Sequence, residues 1–173
     1  RDQEISLAKK IELTRKMFRK KVLECALASR HAVQIFEEVQ RGDLAFDRTL
    51  KVGEVDKQDI SDRLPENIAT VKAILARNDR DVGDLRSAPN GEAKNYLATM
   101  MRVRQRRKKV VALLEELGLQ IKKVRPMMAL LEERYAELAR VEREAQEASG
   151  DEEGRSQRLT ARLDELETDT GET

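Results

Sequence analysis

The sequence predicts an all-α chain, an elongated bundle of about four long helices with a flexible acidic C-terminal tail. Three observations predict it. Charged residues make up 39% of the 173 positions and aromatics only 3%, with no Trp. Abundant Glu, Lys, Arg, Leu and Ala in that proportion belong to long helices around a thin core. Apolar residues recur at alternating three- and four-residue steps over long stretches, the period of one helix face. Between those stretches lie isolated Gly and Pro residues, of which the chain has 8 and 3, placed where helices stop or start.

The first element is expected to fill residues 1–41. Positions 8, 11, 15, 18, 22, 25, 29, 32, 36 and 39 hold eight apolar residues out of ten, the exceptions being Arg15 and Ser29. No Gly or Pro intervenes before Gly42, which stands where a helix ends on a left-handed residue. A single helix over 4–41 is on the order of 55 Å long and needs partner helices along its length. Phe18, Val22, Cys25 and Phe36 are expected among its most buried residues.

Residues 42–145 are expected to supply those partners. GDLAFDRTLKVGEVDKQ has no helical stripe and reads as an ordered connector, followed by a short helical turn capped by Asp59 or Ser61. Pro65 suits the first position of a helix over about 65–84, where its missing N–H costs nothing. Ile68, Val71, Leu75 and Val82 form the inner face of that helix, with Ile74 beside them. Ser87–Gly91 is a loop by composition, with Asn90 as the cap of the next helix. Tyr96, Met100, Val103, Arg107, Val110, Leu114 and Leu117 then mark a third stripe, which continues in phase through Ile121, Val124, Met128, Leu131, Tyr135 and Leu138. One continuous helix therefore competes with a helical hairpin over 92–145. Gly118 and Pro126 both disfavour helix interiors and tip the choice to the hairpin.

From residue 146 to 173 the composition turns acidic, and EASGDEEGRSQ holds no large apolar side chain. Too little apolar surface is present to offset the entropy of ordering it, so residues 147–156 are expected to be the least protected of the chain. Leu159, Leu163 and Leu166 mark a short helix over 155–167, marginal unless it docks.

Charge distribution says more than the net charge of +1. Residues 9–21 hold seven basic residues against Glu12 alone: Lys9, Lys10, Arg15, Lys16, Arg19, Lys20 and Lys21. Arg102, Arg104, Arg106, Arg107, Lys108 and Lys109 crowd six more into eight positions. Of these, Lys9, Lys10, Arg15, Lys16, Arg19, Lys20, Arg102, Arg106 and Lys109 are the candidates for contact with DNA phosphates or a large partner. Solvated or ion-pairing helix faces are the ordinary alternative for both clusters. Arg107 falls in the stripe, so its guanidinium must snorkel or find a carboxylate. Aromatic residues that could stack on bases are nearly absent from both clusters, which argues against single-strand reading.

Little supports catalysis. His31 is the single histidine and flanks the stripe, while Cys25 is a lone thiol within it, more often a core residue than a nucleophile. The pairs Glu37-Glu38, Glu115-Glu116 and Glu132-Glu133 sit amid Lys and Arg, and the glycines are scattered singly, so there is neither a metal-ligand cluster nor a phosphate loop. No enzyme activity, cofactor, metal or small-molecule substrate is expected. One cysteine allows no internal disulfide, which suits a cytoplasmic protein. No apolar run approaches the roughly 18–20 residues of a membrane span, and the N-terminal residues lack a signal-peptide pattern.

Three segments carry a family resemblance. Glu4-Ile5-Ser6-Leu7-Ala8-Lys9-Lys10-Ile11-Glu12, preceded by Arg1, resembles the segment that closes the conserved upstream region of bacterial primary (housekeeping) sigma factors. Glu115-Glu116-Leu117-Gly118-Leu119-Gln120-Ile121-Lys122-Lys123-Val124 resembles the helix-Gly-Leu-x-Ile-x-x-Val turn before their promoter-reading domain. Leu44-Ala45-Phe46-Asp47-Arg48-Thr49 is similar to a linker in a subset of large sigma factors. The resemblance implies a dissociable subunit that binds core RNA polymerase, recognises promoter DNA and starts transcription. It also implies that the base-contacting residues precede the position matched by Arg1, and that most of this chain corresponds to the variable insertion, which braces the upstream region. The match already in progress at Arg1, without an initiating Met, points to a piece of a longer protein. After Glu12 the family usually has an acidic-Gly break, where this chain has Leu13-Thr14. Periodicity alone fits a second class equally well, a cytosolic helical-bundle or coiled-coil interaction module without nucleic acid. A membrane-surface helix fits poorly, since the long stripe has no Trp to anchor at an interface.

Overall fold

The structure is a computed structural model that describes residues 1–51, 57–87, 93–148 and Arg162. Among the described residues six helices occur in this order: α1 Asp2–Leu23, α2 Ala26–Arg41, α3 Phe46–Thr49, α4 Lys57–Ser87, α5 Ala93–Glu116 and α6 Ile121–Ala148. The chain is all-α, and no strand is present among the described residues. The one β-type pairing among them joins Leu50 to Leu119 in an isolated antiparallel bridge.

The expected single helix over 4–41 is two. It breaks at Glu24 and Cys25, the latter in an extended conformation with φ −75° and ψ 134°. The break is closed by hydrogen bonds rather than by Gly or Pro. Glu24 N donates to Lys20 O, Cys25 N to Val22 O, and the buried Ser29 hydroxyl donates to Leu23 O at 2.7 Å. A buried helix-end carbonyl thus keeps a partner, as it must. The physical reason for the break lies in the packing. The end of α1 meets α5 and α6, whereas α2 lies most extensively on α4, and one straight rod would not present Val22 and Phe36 to both. At its far end α2 stops on Gly42 (φ 84°), with Gly42 N bonded to Val39 O and Asp43 N to Glu38 O, the paired bonds of a Schellman cap.

The second expected helix is longer than the span 65–84. α4 begins at Lys57 and runs through Pro65. The acceptor that loses its donor lies four residues back, at Ser61, and both Ser61 and Pro65 are exposed, so solvent can reach that carbonyl and the proline is tolerated within the helix. Lys57 fixes the start of α4, pairing with Asp47 at 3.0 Å and lying 5.4 Å from the centre of the Phe46 ring.

α5 and α6 are separate helices divided by a turn at Gly118, but they do not pack along each other as the expected hairpin would: α5 lies mainly on α4, and α6 on α1 and α2. Gly118 has φ 67°, and a Cβ there would lie 2.9 Å from Lys51 O. That close approach exists because the connector is stitched to the turn. Lys51 N donates to Gly118 O at 2.6 Å, Gln120 N donates to Thr49 O, and the Gln120 side-chain amide donates to Asp47 O and Leu50 O. Leu50, Leu117 and Leu119 are each 1% exposed beneath these bonds, so the turn is a closed corner of the core.

The core runs along the stripes. Phe36, Val71 and Val124 are fully buried, with Val22, Ile68, Leu75, Val110, Leu114 and Met127 around them. Each such side chain contributes about 1.5–3 kcal/mol on burial. Two of the four residues expected deepest in the first stripe are only partly buried: Phe18 and Cys25 pack against the core from its edge. Farther toward the N-terminus the stripe is uncovered, because residues 1–17 are exposed throughout. Within 146–173, only Arg162 is described beyond Ala148, and its guanidinium pairs with Glu137 on α6. α6 runs on to Ala148, so residues 146–148, expected in the tail, belong to that helix; the rest of the expectations for 147–156 and for the helix over 155–167, and the Asn90 cap, lie outside the described residues.

Candidate functional site

α1 and α5 bring the two basic clusters together. Arg19 donates to Glu115 through Nε at 2.9 Å and Nη2 at 3.5 Å, and the two side chains are 13% and 11% exposed. This charge-assisted fork pins the next-to-last turn of α1 to the last turn of α5. Lys16 and Lys20 border the same shallow hollow with Glu116 and Gly118, while Lys21 and Glu24 border a second cleft with Leu97, Arg104 and Lys108. Lys16 and Lys20 thus sit beside the end of α5, and Lys21 sits beside its middle. The helices run antiparallel, and their cations share one side of the molecule.

The candidates divide in the structure. Lys16, Lys20, Arg104, Lys108 and Lys109 have no carboxylate within ion-pair distance among the described residues, and all five are exposed. Lys9 and Lys10 are exposed on the uncovered half of α1. Arg15 pairs with Glu12 one turn away, at 3.0 Å. Arg102 donates to the buried Thr99 hydroxyl at 2.7 Å. Arg106 points inward across the α4–α5 seam, donating to Asn78 Oδ1 at 3.0 Å and Asp81 Oδ2 at 2.7 Å. Arg19 and Arg106 therefore clamp the bundle and are not available to phosphates. Arg107, expected in the stripe, is partly buried near Cys25.

Sequence reasoning missed the acceptors of this clamp. Asn78 and Asp81 lie one turn apart on α4, an i, i+3 pair on one face, and Asn67 donates across the same seam to Leu113 O at 3.2 Å. Three polar residues recurring on the inner side of an apolar stripe were the signal. Lys51 was missed too. It pairs with Glu12 at 2.5 Å, tying the uncovered part of α1 to the connector. The Lys51 ammonium first, and the Arg15 guanidinium after it, hold the Glu12 carboxyl below the usual carboxylate range.

Other chemistry has weak support. Burial pushes the Cys25 thiol up, against a smaller opposing pull from the Ala28 and Leu27 backbone N–H groups and from Arg107 and Arg30, so it is a poor nucleophile at neutral pH. Among the described residues no group of His, Cys, Asp and Glu is placed to hold a metal ion. No helix among them is long and apolar enough to cross a membrane. Comparison with protein-family models, curated proteins and solved structures found no match for this chain.

Proposed function

We propose that this chain is part of a bacterial primary sigma factor. It comprises the end of the conserved upstream region on the first turns of α1, then the helical insertion that precedes the promoter-reading domain. The bundle of α2 to α6 braces α1, and the cations shared by α1 and α5 rest against core RNA polymerase or DNA phosphates. One observation carries the proposal. Glu4–Glu12, the stretch that resembles the family, lies on the half of α1 that the rest of this chain leaves uncovered. Leu7 and Ile11, one turn apart on the same side of α1, are 59% and 42% exposed there, so this helix face is suited to pack against something beyond the described bundle.

The basic surface supports a positioning role. Lys16 and Lys20 are free to meet phosphates, and phosphate contacts orient a protein on DNA without reading sequence. The same uncovered apolar residues also favour a second reading, a helical protein-interaction module without nucleic acid. Antibody capture from growing cells of the polypeptide that contains this chain separates the two. The sigma reading predicts that the large core subunits of RNA polymerase come down with it in near-equal amount. A catch that lacks polymerase contradicts it and favours the interaction module.

A further inference from the structure

The second cleft between α1 and α5 is built differently from a phosphate track. Leu97, Met101, Arg104 and Lys108 succeed one another at four-, three- and four-residue steps along α5, which places them on one helix face. The first two are 63% and 65% exposed, the most exposed large apolar side chains among the described residues. Lys21 of α1 stands across from them, and the cleft encloses about 410 Å³, within the range of pockets that enclose several ligand groups. The single carboxylate among its described lining residues, Glu24, is already paired with Lys21 at 2.9 Å. One end of the stripe is therefore apolar and uncovered, while the other is cationic and in excess of its counter-charge.

We propose that this cleft receives an acidic amphipathic segment of a protein partner, with one or two large apolar side chains set against Leu97 and Met101 and carboxylates set against Arg104 and Lys108. Charge complementarity selects the acidic partner. The apolar half selects a protein over a nucleic acid, because a sugar-phosphate chain has nothing to bury on Leu97 and Met101. The concave shape, with Lys21 as its far wall, fits a helix laid in a groove. Methionine supplies an unbranched, polarizable surface that adapts to the inserted side chain. The stripe from Leu97 to Lys108 extends about 16 Å, so the partner's apolar anchor and acidic group lie two to three helical turns apart. The proposal does not depend on the sigma reading.

The test uses the full chain and three fluorescent peptides of about four helical turns. One has leucines at one end and glutamates at the other, one has the leucines replaced by serine, and one has the glutamates replaced by lysine. The first peptide binds, and each of the others binds at least about tenfold more weakly. Met101→Glu and the pair Arg104→Glu with Lys108→Glu each weaken it by a similar factor, with the helical circular-dichroism signal unchanged because all three positions are exposed. The charge-reversed chain gains affinity for the lysine peptide, which a merely structural role would not produce. Equal binding of the serine peptide, more effective competition by duplex DNA than by the unlabelled leucine peptide, or no binding of the leucine peptide overturns the proposal.

Discussion

At the scale of single residues, Gly118 and Gly42 separate two demands that look alike in the sequence. Both have positive φ, but only Gly118 has a backbone carbonyl, that of Lys51, where its Cβ would be. Gly42→Ala is expected to cost about 1 kcal/mol, the penalty of a left-handed alanine. Gly118→Ala is expected to cost roughly 2 kcal/mol or more, since the Leu50–Leu119 bridge must also shift. Urea unfolding of the two variants checks the ranking, and equal costs would show that the corner yields freely. Glu12 allows a second test. Its carboxyl is held below its ordinary value of 4.5, first by Lys51. A depressed folded value means the contribution is fully present above 4.5 and is lost as pH falls below that through the folded value. Lys51→Met should therefore move the Glu12 titration, followed by NMR, up toward the ordinary range. An unchanged titration would mean that Lys51 does not reach it.

At the scale of elements, the sequence disclosed stripes and stops better than breaks. The inner face of α4 was legible as Ile68, Val71, Leu75 and Val82, and all four are buried. Gly118 marked the end of α5 because a glycine terminates a helix by its own backbone freedom, but it did not reveal that α5 and α6 go on to pack on different partners. The break at Cys25 was illegible because it has no breaker residue. It depends on Ser29 reaching Leu23 O and on α4 lying to one side, both of them tertiary facts. The same limit applies to Phe18, which fits the stripe as well as Phe36 does but sits where the core thins. Phe36→Ala, at 0% exposure, should cost about 3–5 kcal/mol, and Phe18→Ala about 1–2 kcal/mol, in proportion to its lesser burial. Chemical denaturation checks the order, and a larger loss at Phe18 would place the true core nearer the start of α1. Pro65 misled for a local reason: an exposed proline with a solvated acceptor behind it is tolerated inside α4.

At the scale of the whole molecule, the sequence revealed the two basic clusters but not their neighbourhood. Adjacency of α1 and α5 results from the turn at Gly118 and the break at Cys25 together, and neither cluster hints at it. Nor does charge counting reveal which cations are committed, since Arg19 and Arg106 differ from Lys16 and Lys20 only in what faces them. The free set can neutralise phosphates without reading bases. The isolated chain should therefore bind promoter and scrambled duplexes alike, with a dissociation constant of about 10⁻⁴–10⁻⁶ M that weakens steeply with salt. A promoter preference of about tenfold or more in that titration would place sequence reading within these residues. The most direct test of the sigma reading is made in the polypeptide that contains this chain, assembled with core RNA polymerase, by changing Lys16 and Lys20 to Glu while leaving the Arg19–Glu115 clamp intact. Open-complex formation should fall on every promoter by a similar factor, with promoter ranking unchanged. Undiminished open complexes, or a changed ranking, would contradict it.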